Sequence, residues 1–553
     1  MFTAVLFTGG AVFTGAGQPL TGMAVAVTNG RITAIVPEAE AESLVDESTR
    51  RVELAGALLA PGFQDAHVHP IGGGVELLRC NLSETENADE AVAAVAAYAV
   101  AHPDEEWILG GGWSMDHYPG GAPSRALLDA VVPDRPVVVM SRDHHSTWAN
   151  TEAIRRAGID ASTPDPDDGR IEREADGFPS CTFHEGAGEF FAEVMPATDP
   201  DLAYRGLLRA QEQLLAWGIT GWQDAMVGGS GPGVGTIQAY EHAIAEGTLT
   251  AHVVGAQWWE RSLGVEQIAG MLQRRADARA TGSADHFDMG TVKIVVDGVA
   301  ENFTASMIEP YQDGHGHDTD NHGISFVDPE VLREAVIQLD AAGMQVHFHA
   351  LGDRAVRDAL DAVGAARAAN GPTDARHHLA HLQVVTEEDA ARFARVDATA
   401  NLQALWATHE DQLDNLTLPF LKEGAEARQY PFGDLHRAGA RLAAGSDWPV
   451  STADPLAAIH TAVNRTVPGS DAAPLGGAHQ RLDLATAFAA YTSGSAYVNH
   501  RDHDTGYIRV GYLANLVVIE PNPFTLPESE LHTTKVTSTW VEGSSVYARP
   551  ASH

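Results

Sequence analysis

Leu58-Leu-Ala-Pro-Gly-Phe-Gln-Asp-Ala-His-Val-His-Pro70, followed by Ile71 and three glycines, begins as an apolar run and ends in polar residues. Side chains alternate along a strand, so Asp65, His67 and His69 share one face at its C-terminal end, where Pro70 and the glycines begin a loop. In a (β/α)8 barrel that end of each strand is the active face. Two imidazoles one residue apart on one face can reach a common divalent ion. Taken alone, the pair reads better as two histidines satisfied by hydrogen bonds.

Other strand ends shift that balance. His349 closes Gln345-Val-His-Phe-His-Ala, His381 closes His378-Leu-Ala-His, and Asp447 follows Ala443-Ala-Gly-Ser. Three more metal-type ligands at corresponding places make chance clustering a poor account. Lys293, in Thr291-Val-Lys-Ile-Val-Val-Asp-Gly, is the odd member. A lysine in an apolar strand must be paired, neutralised or modified to escape the desolvation cost of its charge. An ion pair with Asp297 on the same strand face is the plainest solution.

From about Leu58 to about Ser495 such apolar runs alternate with Ala-rich helical stretches, the pattern of a parallel sheet or barrel. Ten strand candidates lie near 58–67, 107–113, 136–142, 218–224, 250–257, 289–297, 345–350, 376–382, 397–403 and 441–447. An eight-stranded barrel leaves two over. The second and third fall in a Pro- and Asp-rich stretch, roughly 75–200, assigned as an insertion lobe after the first barrel strand. The fold expected is α/β, a distorted (β/α)8 barrel over 58–498. Residues 1–57 and 499–553 read as short strands, with an Asn29-Gly30 hairpin signal, and are expected to join in a β-sandwich-like module. Ala548 to His553 is expected to fray.

The 553 residues carry 35 basic and 75 acidic side chains, a formal charge of −40. Such a surface repels phosphate backbones and anionic lipid, which argues against nucleic-acid and membrane partners. No apolar run reaches membrane-span length, and Met1 to Ala16 lacks the basic residues of a signal peptide. Two cysteines, Cys80 and Cys181, exclude a disulfide framework and fit a reducing compartment, so a cytoplasmic location is expected. No Gly-x-Ser-x-Gly occurs, and neither cysteine has a nucleophile's context.

Six segments together resemble the amidohydrolase superfamily, in the branch of YtcJ-like hydrolases and N-substituted formamide deformylases. They are Pro61-Gly-Phe-Gln-Asp-Ala-His-Val-His, Gly218-Ile-Thr-Gly-Trp-Gln-Asp, Val292-Lys-Ile-Val-Val-Asp-Gly, His349-Ala-Leu-Gly-Asp-Arg-Ala, His381-Leu-Gln and Gly445-Ser-Asp-Trp-Pro-Val. The resemblance spans nearly the whole chain. It implies two divalent metal ions, zinc by default: His67, His69 and Asp447 on the more buried one, His349 and His381 on the more exposed one. Lys293, carboxylated on Nζ by carbon dioxide, would bridge them, and Asp447 would also shuttle the proton. A metal-activated hydroxide would then cleave a non-peptide C–N bond of a small molecule, an amide, N-formyl or carbamate group. The family habit is a homodimer.

Asp143-His-His145 resembles the family's Asp-Gly-His segment. It places His145 and Glu185 against the substrate or, equally, in a structural cluster. Trp113 and Trp406, near strand ends or insertion loops, are read as aromatic walls of the pocket. His347 and His378 are assigned a supporting or barrel-core role. A deaminase or an esterase-like hydrolase on the same core is the alternative, although the chain lacks Glu in the Ala-Leu-Gly-Asp that follows His349. A non-catalytic scaffold is the reading from another class, and every ligand position being filled opposes it.

Overall fold

The computed structural model describes residues 4–229 and 235–550. Residues 551–553 of the segment expected to fray lie outside them. Eight strands form one sheet in chain order: β1 (Phe63–Val68), β2 (Ile219–Val227), β3 (His252–Trp258), β4 (Phe287–Val295), β5 (Gln345–Ala350), β6 (His378–His381), β7 (Thr399–Leu402) and β8 (Arg441–Ala444). Every neighbouring pair is parallel. Both faces of these strands are covered, which is why they read as nearly continuous apolar runs. Register aligns the chemistry, with Lys293 opposite His347, Val295 opposite His349 and Ala350 opposite His381.

The seam between β8 and β1 is made beyond the strands' ends. Asp447 N donates to His67 O (2.8 Å) and His69 N donates to Trp448 O (2.9 Å). Asp65 reinforces this: its Oδ1 accepts from His67 N (2.9 Å) and Ser446 N (3.0 Å). Gly445 makes the approach feasible, because a Cβ there would stand 2.5 Å from His67 N.

The apolar run 58–67 proves to be two strands. Leu58–Pro61 pairs with Ala11–Val12 and Leu516–Glu520 in a sheet built from both termini, and Gly62 separates it from β1. Residues 58–61 therefore leave the barrel, where the sequence reading had placed them. A second sheet holds Val5–Thr8, Met23–Thr28, Arg31–Pro37 and Arg50–Glu53. The two sheets share an apolar cluster that includes Phe7, Val25, Leu59, Val518 and Trp540. Asn29 and Gly30 turn the hairpin with φ of 52° and 75°, the left-handed pair such a turn requires.

Between β1 and β2 lies a six-stranded sheet running from Cys80–Asn81 to Pro179–Glu185, with its own core around Trp113, Trp148, Phe183 and Phe191. The two surplus strand candidates, Ile108–Trp113 and Val137–Ser141, are neighbouring parallel strands within it. Cys80 and Cys181 are both free and buried. Among the described residues no helix is long and apolar enough to cross a membrane.

Gly445→Ala should force the seam apart. Overpacking of this kind costs about 1–3 kcal/mol, seen as a lower thermal midpoint. Gly72→Ala, in the helix Pro70–Leu77 with no neighbour within 4 Å of the added methyl, should leave the midpoint unchanged or raise it.

Candidate metal centre

Each ligand candidate sits at the C-terminal mouth of the barrel because its strand ends there. His67 is on β1, and His69 is the residue before the helix Pro70–Leu77. Lys293 is on β4, His349 on β5, His381 ends β6, and Asp447 follows β8. His381 and Asp447 have φ of 79° and 58°, a region that costs a residue with a Cβ about 1 kcal/mol or more. Tight bonds hold both: His381 N donates to Gln403 Oε1 at 2.6 Å, and Asp447 N is committed to the seam.

The side chains converge. His67 Nε2 and His69 Nε2 each lie 3.1 Å from Asp447 Oδ1, and His381 Nδ1 lies 3.8 Å from Oδ2. One ligand atom from each of His67, His381 and Asp447 falls within 4.8 Å of the others. His349 is alongside, its ring centroid 4.5 Å from that of His381, with Nε2 3.4 Å from Gly298 O.

Burial sets the charge states. It lowers His67 to about 3, with Lys293 adding to the shift, and holds His349 and His381 far below the imidazole range. All three are therefore neutral and carry the lone pair that ligation requires. Burial alone would raise Asp447, yet the polar groups gathered around it hold its carboxylate well below the usual range, so it is ionised. Both ring nitrogens of buried His381 lack a hydrogen-bond partner among the described residues. Buried polar atoms are rarely left so. Neutral imidazoles and one carboxylate with converging lone pairs are the donor set of a divalent ion such as zinc, so the residues fit the metal.

The expected Lys293–Asp297 pair does not form. Asp297 accepts instead from Ser306 N (2.9 Å), Leu351 N (3.1 Å) and Gly352 N (2.8 Å). Lys293 Nζ lies 3.4 Å from His67 Nε2, and no carboxylate is within 4.0 Å of it among the described residues. Burial lowers its amine to about 7, with Asp447 opposing.

The lobe brings His145 and Glu185 to the same mouth. His145 Nδ1 and Glu185 Oε2 are 2.8 Å apart, and the His145 ring lies 5.5 Å from that of His349. Thr304 Oγ1, on the loop after β4, donates to Glu185 Oε1 at 2.7 Å, tying lobe to barrel. Trp406 stacks on His381 at 5.5 Å and 12°. Trp113 does not reach the site. It is fully buried in the lobe core against Tyr118 and Trp148, with Nε1 donating to Val139 O. Missed in the sequence were Gln223, Gln345 and Asn401, buried amides inside the barrel, whose strands hold other polar residues too, so that nothing set them apart.

The amidohydrolase family model matches residues 50–547. The chain belongs to the amidohydrolase family, and so to the hydrolases. It is 28% identical over 512 residues to the putative amidohydrolase YtcJ of Bacillus subtilis (strain 168), covering 91% of each chain. It is 26% identical over 545 residues to the N-substituted formamide deformylase of Arthrobacter pascens, covering 96% of this chain and 95% of that one. An uncharacterized metal-dependent hydrolase of Pyrococcus horikoshii OT3 shares the fold, with a TM-score of 0.72 at 21% identity over 95% of this chain and 99% of that one. Both the barrel and the branch expected from the sequence are thereby met.

Burial would lower His145, but Glu185 raises it to about 9. Glu185→Gln should therefore lower its titration midpoint, followed through the ring-proton NMR signals. An unchanged midpoint would mean that the pair does not set its charge.

Proposed function

We propose that this chain hydrolyses a non-peptide C–N bond of a small molecule, an N-formyl amine, amide or carbamate, at a centre of two divalent ions, zinc by ligand type. The observation that carries this is the meeting of His67, His69, His381 and Asp447, with buried Lys293 beside His67 and no carboxylate within 4.0 Å of it among the described residues. His67, His69 and Asp447 would hold one ion, His349 and His381 the other. Carboxylated Lys293 would lie between them. When bound, the ions would polarise the scissile carbonyl and acidify water.

The chain's own residues supply the rest. Lys293, neutral in part near pH 7, can add to carbon dioxide. An N–C bond forms, the amine's proton leaves to solvent, and a carbamate anion replaces a costly buried cation. Asp447 Oδ1, ionised at the centre of the cluster, can take a proton from water and return it to the departing amine nitrogen, so that the carboxylate is regenerated. His145, held by Glu185, is placed beside His349 to donate a hydrogen bond to a substrate oxygen. Trp406 offers an aromatic wall for an apolar acyl or amine group. Similarity to the formamide deformylase supports the N-formyl choice. A cytoplasmic homodimer belongs to the same proposal, following the free cysteines and the family resemblance.

The test is a panel of N-formyl amines, N-acyl amines, aminopurines and carboxylic esters, run with the zinc-loaded full chain. Turnover should be greatest on N-formyl or N-acyl amines, and Asp447→Asn should lower kcat by about 10²- to 10⁴-fold. Lys293→Ala should lower bound zinc per chain from two to one or none, read by elemental mass spectrometry. Preference for aminopurines or esters would redirect the reading, and zinc content indifferent to Lys293 would remove the bridge.

A further inference from the structure

The barrel interior below the cluster holds a chain of hydrogen bonds whose direction can be derived. It starts at backbone carbonyls, which can only accept. Gln345 Nε2 donates to Arg376 O and Val498 O, both at 2.8 Å. That fixes the amide of Gln345, so its Oε1 faces Thr291 Oγ1 (2.8 Å) and Gln223 Nε2 (3.0 Å) as acceptor. Gln223 is thereby fixed in turn, and its Oε1 faces two histidines, 2.7 Å from His347 Nδ1 and 2.9 Å from His378 Nε2. Both nitrogens must carry hydrogen. His347, protonated on Nδ1, presents an Nε2 lone pair, and 2.8 Å away is His67 Nδ1. Only a hydrogen on His67 Nδ1 can fill that contact.

A second anchor agrees. Asn401 Nδ2 donates to Ala66 O at 2.9 Å, which fixes that amide, and the same nitrogen lies 3.2 Å from His378 Nδ1. His378 Nδ1 is therefore an acceptor and its Nε2 a donor, as the first anchor requires. Reversing the chain would set oxygen against carbonyl oxygen at Arg376 and Val498, and again at Ala66.

We infer that His347, Gln223 and Gln345 are positioning residues that lock His67 in the tautomer protonated on Nδ1, aiming the Nε2 lone pair at the strand-end cluster. In a neutral imidazole one nitrogen holds the proton and the other is the ligand atom. Without the chain His67 could protonate Nε2, 3.1 Å from Asp447 Oδ1, and bury its own ligand atom in a hydrogen bond. The network selects against that state before any ion arrives. Partners of this kind, fixing a ligand histidine's free nitrogen, typically contribute about 10- to 100-fold in metal affinity. The inference rests on the metal reading only in what the lone pair is for.

Joint neutron and X-ray diffraction from deuterated, metal-free crystals of the full chain tests the tautomers directly. Deuterium is expected on Nδ1 of His67 and His347 and on Nε2 of His378. Deuterium on Nε2 of His67 or of His347 would overturn the inference. A second measurement uses zinc competed against a chelator. His347→Leu should weaken zinc binding by about 10- to 100-fold. His347→Gln, whose amide can accept from His67 and donate to Gln223, should restore most of it. Equal affinity of the Leu variant and the parent chain would also overturn the inference. Failure of the parent chain to bind zinc would contradict the metal reading instead, with the deuterium positions still deciding the relay.

Discussion

Two backbone hydrogen bonds, Asp447 N to His67 O and His69 N to Trp448 O, hold together the first and last strands of the barrel. They are also the bonds that bring three ligand candidates within reach of one another. Closing the sheet and assembling the site are thus one event. Asp65 shows the same economy. Its buried carboxylate, pushed up to about 7 by desolvation, spends its acceptors on the two strand ends instead of the centre. A change at Gly445 or Asp65 is felt by the chemistry because the seam and the cluster share His67.

Burial is the second constraint. Desolvation keeps His67, His349 and His381 neutral and lowers the Lys293 amine. Among these neutral imidazoles Asp447 keeps its carboxylate ionised. A site held this way is poorly satisfied by its own atoms, since neither nitrogen of His381 has a hydrogen-bond partner among the described residues. That deficit leaves room for a cation, which would give the lone pairs a charge to meet.

Much of this was legible in the sequence because the strands are covered on both faces. Apolar runs closing on His, Lys or Asp marked the barrel and the end where these side chains gather, and excess strand candidates exposed the lobe. The run from Leu58 misled because periodicity sees apolarity and not sheet membership, so the change of sheet at Gly62 left no trace in it. Trp113 misled for a related reason. A tryptophan at a strand end looks the same whether it lines a pocket or fills a core, and here the lobe needed core. Asp297 was assigned to Lys293 from strand alternation, whereas the backbone after β5 turns back and claims it with two of its amides, the third coming from Ser306. The glutamine relay was invisible because each of its members is unremarkable alone. Only the register of β2, β4, β5, β6 and β7 brings them together.

Whether the strand ends form a metal centre is decided by anomalous diffraction at the zinc edge from crystals of the full chain grown with zinc and bicarbonate. One peak is expected among His67, His69 and Asp447 and a second toward His349 and His381, with density extending from Lys293 Nζ between them. Strong zinc peaks elsewhere on the protein with none at this cluster would contradict it.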